Sequence, residues 1–345
     1  MPSPSNHIHA AIAAAGGAIP FSEFMSLALY GEDGFYTGTG RAGRRGDFIT
    51  SPEVGPLFGA VLATYLDAQW KSLGSPSNFT VVEVGAGPGT LARSILSAAP
   101  ECLSSGTYIA VEVSASQRAL HPEGITSAAE MPAHIDNGVI IANELFDNLP
   151  FDLWVYDDGW REAYVASAGE NFSEVQMNKP VPDCLPSRAV LGARAPVQTA
   201  AGQWLANALQ SLQHGKVLAF DYCTALTAEV ASMPWREWLR TYASHERGVH
   251  YLRNVGEQDI TTQVLIDQLS LVREPDAIRT QSQFLQLWGI DELVEEGKRA
   301  WEAAASAPSL AAMKMRSRIA ESEALLDPAG LGTFTALEWN SSNTI

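Results

Sequence analysis

Residues 79–90, FTVVEVGAGPGT, constrain the fold more than any other stretch. Phe79, Val81, Val82 and Val84 form an apolar run interrupted by Thr80 and Glu83, the pattern of a parallel strand buried on both faces. Gly85, Gly87 and Gly89 follow, Pro88 stands at the expected first helical position, and Thr90, Leu91 and Ala92 carry a helix onward. A strand, a tight loop and a helix result. Missing Cβ atoms let the backbone pass close under a ligand, and the helix N-terminus offers free amides to an anionic group such as a carboxylate.

A dinucleotide fingerprint would need glycine at position 90, where Thr90 stands. Glu83, just before the loop, would also repel a pyrophosphate in a partly dry crevice. An acid there suits a cationic ligand. S-adenosylmethionine, with its ammonium and sulfonium, fits that charge where NAD does not.

The remaining composition narrows the class. With 345 residues, 46% hydrophobic and 18% charged, the chain can bury a large core and form one large or two ordinary domains. Its 22 basic against 39 acidic residues give a net charge of −17, without the basic footprint of a nucleic-acid binder. A basic substrate would be steered in. Cys102, Cys184 and Cys223 lie far apart without C-x-x-C spacing, so no disulfide framework or metal site is expected and a reducing cytoplasm fits. The alanine-rich run 10–19 is too short and too broken by glycine to span a bilayer, so no membrane association is expected.

Along the chain, residues 7–30 read as helical on both sides of Gly16-Gly17. Residues 31–56 form a long turn-rich loop that holds Phe35, Tyr36, Phe48, Arg41, Arg44, Arg45 and Asp47. Thr50 and Glu53 suit a capping box that opens one helix running to Leu73. TYIAVEVS (107–114) predicts a second strand with Glu112 near its end, where this class of sheet places an acid for ribose hydroxyls. Ser127–Pro132 are expected after the third strand, beside an adenine.

GVIIANELFDNLPF (138–151) predicts a fourth strand that delivers Asn143, Glu144 and Asp147 to the edge where open α/β sheets bind ligands. A hairpin turning at Asp158-Gly159 follows, then a helix around Gln203–Leu212 and a fifth strand, 216–223, with Asp221 near its end. His245 and His250 sit in a loop where histidines are ordinarily solvated. GEQDITTQVLIDQL (256–269) reads as a loop entering a helix capped by Asp259. Residues 278–283 suggest a sixth strand, 284–326 helices, and 332–339 a closing antiparallel strand.

GDFITSPE (46–53), VEVGAGPGTL (82–91), VEVSASQRAL (111–120), ANELFDNLP (142–150), RTY with His245 nearby, and GEQDIT (256–261) together resemble the MidA family of class I S-adenosylmethionine-dependent methyltransferases. The resemblance runs from about residue 20 to 339. GDFITSPE and NELFDNLP carry most of its specificity, since the glycine loop is shared by many methyltransferases. Two positions depart from the family pattern. Cys223 stands where a glycine is common after the fifth strand, and Pro88 where an arginine is common.

The resemblance implies a Rossmann-like class I methyltransferase fold: a seven-stranded, mostly parallel sheet with a helical N-terminal segment and helical insertions. Residues 1–75 would form a helical segment and lid, 76–283 and 331–340 the cofactor-binding core with an insert at 151–200, and 284–330 a helical insertion on the acceptor side. It further implies S-adenosyl-L-methionine as cofactor, no metal, and methylation of an arginine in a basic protein segment. Thr50, Glu83, Gly85, Gly87, Gly89, Glu112 and Asn143 would bind the cofactor. Glu144 and Asp147, with Glu53 and Asp47 as second candidates, would face the acceptor as catalytic residues. A non-catalytic assembly factor that binds the cofactor, or an enzyme with a small-molecule acceptor, would share these features, and pairing of chains is left open.

Overall fold

The computed structural model describes residues 4–38, 50–243, 246–307 and 309–342, with only the backbone at Glu246 and Ser342. Arg41, Arg44, Arg45, Asp47, Phe48 and His245, with the rest of residues 39–49 of the expected lid, lie outside the described residues. The chain forms two compact units. One comprises Met1–Phe48, Leu145–Asn207 and Tyr222–Glu274, the other Ile49–Glu144, Ala208–Asp221 and Pro275–Ile345. The expected core, 76–283 and 331–340, is thus shared between both.

The second unit holds a seven-stranded sheet, numbered along the chain as β1 (Phe79–Val84), β2 (Thr107–Val111), β3 (Thr126–Ala128), β4 (Ile135–Asn143), β5 (Leu212–Asp221), β6 (Ala277–Thr280) and β7 (Thr335–Ser342). The spatial order is 3-2-1-4-5-7-6, with β7 antiparallel to both β5 and β6 and the remaining pairs parallel. Chain order reverses between β1 and β4, the switch point at which such sheets open a crevice beyond their carboxyl ends. Val81, Ala110, Val139, Ile141 and Leu218 pack with Leu91, Ala92 and Ile95 of the helix Thr90–Ser97 into one core.

Two glycines set the spacing of the central strands. Gly138 of β4 and Gly215 of β5 lie opposite each other. A Cβ on Gly138 would come 2.0 Å from the Thr80 carbonyl oxygen of β1, and one on Gly215 would come 1.7 Å from the Gly138 oxygen. Only backbone fits there.

The expected single helix from Thr50 to Leu73 is two helices, Ser51–Val54 and Pro56–Ser72, parted at Gly55. Glu321, buried on the helix Leu310–Leu325, explains the break: its Oε2 accepts the Leu57 N–H at 2.8 Å, and a Cβ on Gly55 would collide with its carboxylate. A carboxylate at a helix N-terminus satisfies an orphan amide and suits the dipole. Pro88 also lies two residues before the first helical position expected for it, because Gly89, left-handed at φ 81°, is the N-cap of the helix that starts at Thr90.

The first unit mixes strands and helices. Ala18–Pro20, Asp152–Tyr156, Trp160–Ala168, Asn171–Met177 and Arg194–Val197 form an antiparallel sheet, with the expected hairpin turning at Asp158-Gly159. Helices Pro4–Ala14 and Phe21–Tyr30 contribute Ile8, Ile12, Phe21, Phe24 and Met25 to its core. Asp259 is not a helix cap. It opens the strand Asp259–Thr262, paired with Leu239–Ala243, and the helix starts later, at Ile266.

Candidate active site

In the second unit the glycine loop is fixed by the end of β2. The amides of Gly85 and Ala86 both donate to the Val111 carbonyl at 3.0 Å, and the Gly87 amide donates to Glu112 Oε2 at 3.0 Å. Glu112 Oε1 accepts the Ser114 amide at 2.8 Å, so a carboxylate only 8% exposed is held by one backbone donor on each oxygen. Gly85, Gly87 and Gly89 all adopt positive φ, of 74°, 52° and 81°. A backbone of this shape is open to glycine and strained for other residues.

Glu83 lies beneath this loop. It is 4% exposed, and its Oε2 accepts the Tyr108 hydroxyl at 2.6 Å. Burial pushes its carboxyl up to about 7, with the Glu112 charge adding to the push, while Tyr108 and the Ala92 amide of the helix's first turn hold it down. Glu83 therefore ties β1, β2 and the helix start together.

Three residues of this region are not among the site residues that the sequence singles out. His121 bridges the loop to β3: its Nε2 contacts the Gly87 carbonyl oxygen at 2.9 Å and its Nδ1 contacts Ser127 Oγ at 2.8 Å. Arg93 donates to the carbonyls of Pro88 and Leu120 at 2.7 and 2.9 Å. Gln117, 6% exposed, lies beside Gly87 with a buried Oε1 that has no partner. Ser127 belongs to the third strand rather than following it.

At the ends of β4 and β5 the acids gather. Glu144 has a positive φ of 51°, unusual for a residue with a Cβ, and its amide donates to the Phe220 carbonyl at 2.8 Å. Asn143 Nδ2 donates to Glu144 Oε1 at 3.2 Å, while Asn143 Oδ1 is buried without a partner. Loss of solvent and then the Asp221 charge push Glu144 up to about 8, Glu53 pushes it further, and Asn143 and the Ser51 amide hold it down. Glu53 is exposed, and its Oε2 lies 3.5 Å from the Thr50 amide, the reach-back of a capping box. Thr50 thus stands at the entrance of the short helix whose amide meets Glu144.

Asp147 belongs to the first unit, on the turn Phe146–Asn148, and is buried. Its neighbour Asn148 donates to Asp259 Oδ1 at 3.0 Å, Tyr36 donates to Asp259 Oδ2 at 2.8 Å, and Tyr30 donates to the Asn148 carbonyl at 3.1 Å. Burial and then the Asp259 charge raise the Tyr36 phenol well above its ordinary value, with Asp147 adding to the effect. NELFDNLP and GEQDIT, distant in sequence, meet here through Asn148 and Asp259.

Two buried oxygens of this unit, Gln117 Oε1 and Asn143 Oδ1, have no protein partner and can accept hydrogen bonds from a small-molecule cofactor. No group of three or more His, Cys, Asp or Glu among the described residues is arranged to hold a metal ion. No helix among them is long and apolar enough to cross a membrane.

Strand order 3-2-1-4-5-7-6, a glycine loop after β1 and an acid after β2 define the class as a Rossmann-like, class I methyltransferase fold. A Burkholderia thailandensis protein crystallised with S-adenosyl-homocysteine superposes with a TM-score of 0.82 over 98% of this chain and 91% of its own, at 23% identity, which establishes the fold. The model of the S-adenosyl-L-methionine-dependent methyltransferase family matches residues 61–281, and the chain belongs to that family, the MidA family its motifs resemble. The protein arginine methyltransferase NDUFAF7 homolog, mitochondrial, of Drosophila melanogaster is 30% identical over 188 residues, 45% of this chain and 43% of the relative. The Xenopus laevis protein arginine methyltransferase NDUFAF7, mitochondrial, is 30% identical over 185 residues, 43% of this chain and 42% of its own. The matches thus span less than half the length of these relatives.

Proposed function

We propose that this protein transfers a methyl group from S-adenosyl-L-methionine to an arginine of a protein substrate. The observation that carries the reading is the gathering of Glu144, Asp221 and Glu53 at the carboxyl ends of β4 and β5, on the same sheet edge as the glycine loop. The names of the Drosophila and Xenopus relatives support arginine as the acceptor.

The cofactor supplies an electrophilic methyl group on a sulfonium, so the protein's task is to orient and to move one proton. Gly85, Gly87 and Gly89 floor the crevice, and Glu83 acts from below by fixing the loop and the first helical turn. Each Glu112 oxygen accepts one backbone amide and retains a lone pair for a ribose hydroxyl. Asn143 Oδ1 and Gln117 Oε1 are acceptors for the cofactor's remaining donors. Thr50 places the Ser51 amide against Glu144, and so shapes the cofactor's edge of the site.

Glu144 engages the guanidinium through a forked, charge-assisted contact and orients one nitrogen. Methylation of an arginine releases one proton, and a carboxylate pushed up to about 8 is a suitable acceptor near neutral pH. Glu53 adds negative charge around that proton. Asp147 is assigned to the acceptor on sequence alone, as the acid three residues after Glu144. The free thiols of Cys102 and Cys184 suit a reducing compartment, whether the cytoplasm or the mitochondrion named for the relatives.

The test is transfer of labelled methyl from S-adenosylmethionine to arginine-containing peptides and to cell lysate, followed by mass spectrometry of the modified residue. Glu144→Gln and Asp147→Asn should each lower turnover at least a hundredfold while calorimetric cofactor affinity stays within threefold. Cofactor uptake with no transfer to any acceptor would identify a binding protein instead, and label on a lysine or a small molecule would overturn the arginine assignment.

A further inference from the structure

The charge of this chain is unevenly spread. Against a net charge of −17, the described residues that line a groove of about 210 Å³ in the first unit include Arg236, Arg240, Arg247, Trp235, Thr241 and His250, and no Asp or Glu. It shares no lining residue with the site described above. Among the described side chains none of these three arginines forms an ion pair with a carboxylate; Arg194 close by is instead committed to Glu174, at 2.6 and 2.9 Å. Arg240 donates through Nε to the Glu237 backbone carbonyl at 2.7 Å, which orients the guanidinium and leaves its other donors available.

Neighbouring contacts narrow what the groove can hold. Guanidinium groups already cover Trp235, Arg236 at 4.9 Å and Arg194 at 5.5 Å from the ring centroid, so this ring orients cations and is a poor platform for a nucleobase. His250 Nδ1 accepts the Leu252 amide at 3.3 Å, which puts the proton of the neutral ring on Nε2. Burial and then the charges of Arg194, Arg236 and Arg253 hold this imidazole below its ordinary value, against the opposing pull of Glu174. The ring thus senses a positive field in an otherwise acidic molecule.

We propose that this groove is a second ligand site, which takes a small molecule carrying one or two phosphate groups. Three guanidinium groups lining one groove match the charge of a phosphate dianion or a diphosphate, whereas a carboxylate brings one charge to the same forks. At about 30 Å³ per water, the volume equals about seven waters, room for a diphosphate or a phosphate with a small substituent. A long polyanion would extend into the field of the remaining chain, and a compact phosphate stays within the basic cluster.

The test is calorimetry on the full chain at low ionic strength with inorganic phosphate, pyrophosphate, ribose 5-phosphate, hexaglutamate and a single-stranded thymidine oligonucleotide as probes. Pyrophosphate or ribose 5-phosphate should bind best; the first result points to a free diphosphate and the second to a phosphoester as the source. Arg236 and Arg247 are exposed, so R236Q/R247Q should keep the fold and its S-adenosylmethionine affinity while it loses at least tenfold in affinity for the preferred phosphate. R240Q provides an independent check with the same expected loss. No binding at millimolar phosphate probe, equal binding by the double variant, or tighter binding of hexaglutamate or the oligonucleotide would each overturn the proposal.

Discussion

Glu144→Gln offers a test that requires no knowledge of the acceptor. The wild-type carboxyl rises from 4.5 to about 8 in the folded protein. An acid whose folded value exceeds its unfolded value binds more protons when folded, so its contribution to stability falls as pH rises from 4.5 towards 8 and levels off above. At about 1.36 kcal/mol per pH unit, the full shift amounts to about 5 kcal/mol. Glu144 retains some contact with solvent, and screening reduces the working figure to about 2 to 3 kcal/mol. Glutamine preserves the size of the side chain and cannot ionise. Urea denaturation at pH 5 and pH 8.5 should therefore show the variant gaining about 2 to 3 kcal/mol on the wild type between the two conditions. Glu83, pushed up to about 7 in the same direction, is common to both proteins and cancels in the difference. A stability difference that stays constant with pH would refute the claim that Glu144 sits in an environment hostile to its charge.

Three other substitutions probe the same unit. Gly87→Ala places a Cβ at φ 52° on the loop floor, 3.6 Å from Gln117 Oε1; it should cost about 1 to 2 kcal/mol of stability and at least tenfold in S-adenosylmethionine affinity by calorimetry, and affinity within twofold of wild type would count against the loop as the cofactor floor. Gly138→Ala would drive a Cβ against the Thr80 backbone at 2.0 Å, so a loss of about 4 kcal/mol or more, or failure to fold, is expected, and an unchanged denaturation midpoint would contradict the strand spacing. Tyr108→Phe leaves the buried Glu83 with one donor fewer and should cost about 1 to 3 kcal/mol, more at pH 8 than at pH 5; equal losses at the two pH values would mean that Glu83 does not ionise in the fold.

What the sequence disclosed depended on how local the physics was. The glycine loop is legible because strand, turn and helix follow within twelve residues, and the acid at position 112 is legible because a strand end is. Asp259 misled, since an acid ahead of a helical pattern looks like a cap, whereas its true partners, Tyr36 and Asn148, stand 223 and 111 residues away. Glu321 breaks the helix after Val54 from 264 residues downstream of the amide it caps. Gln117 and His121 follow the second strand with no spacing that marks them out. The arginine groove was hidden by averaging: a net charge of −17 describes the whole chain, while Arg236, Arg240 and Arg247 define one place in it.

Glu83 and Glu144 share a consequence for ligand uptake. Burial is the first cause of elevation for both, and it leaves them at about 7 and about 8, within reach of neutral pH. A cation that enters the crevice favours their ionised forms and lowers both values. Uptake of a cationic ligand must then release protons, by the same linkage that ties their charge to stability. Calorimetry of S-adenosylmethionine binding at pH 7.5, repeated in buffers with different ionisation enthalpies, should show a net release of about half a proton or more. S-adenosylhomocysteine keeps the ammonium and lacks the sulfonium charge, so its release should be smaller, and E144Q should narrow the gap between the two ligands. Equal proton counts for both ligands in the wild type would mean that neither acid senses the sulfonium, and the electrostatic case for a cationic methyl donor at this sheet edge would fail.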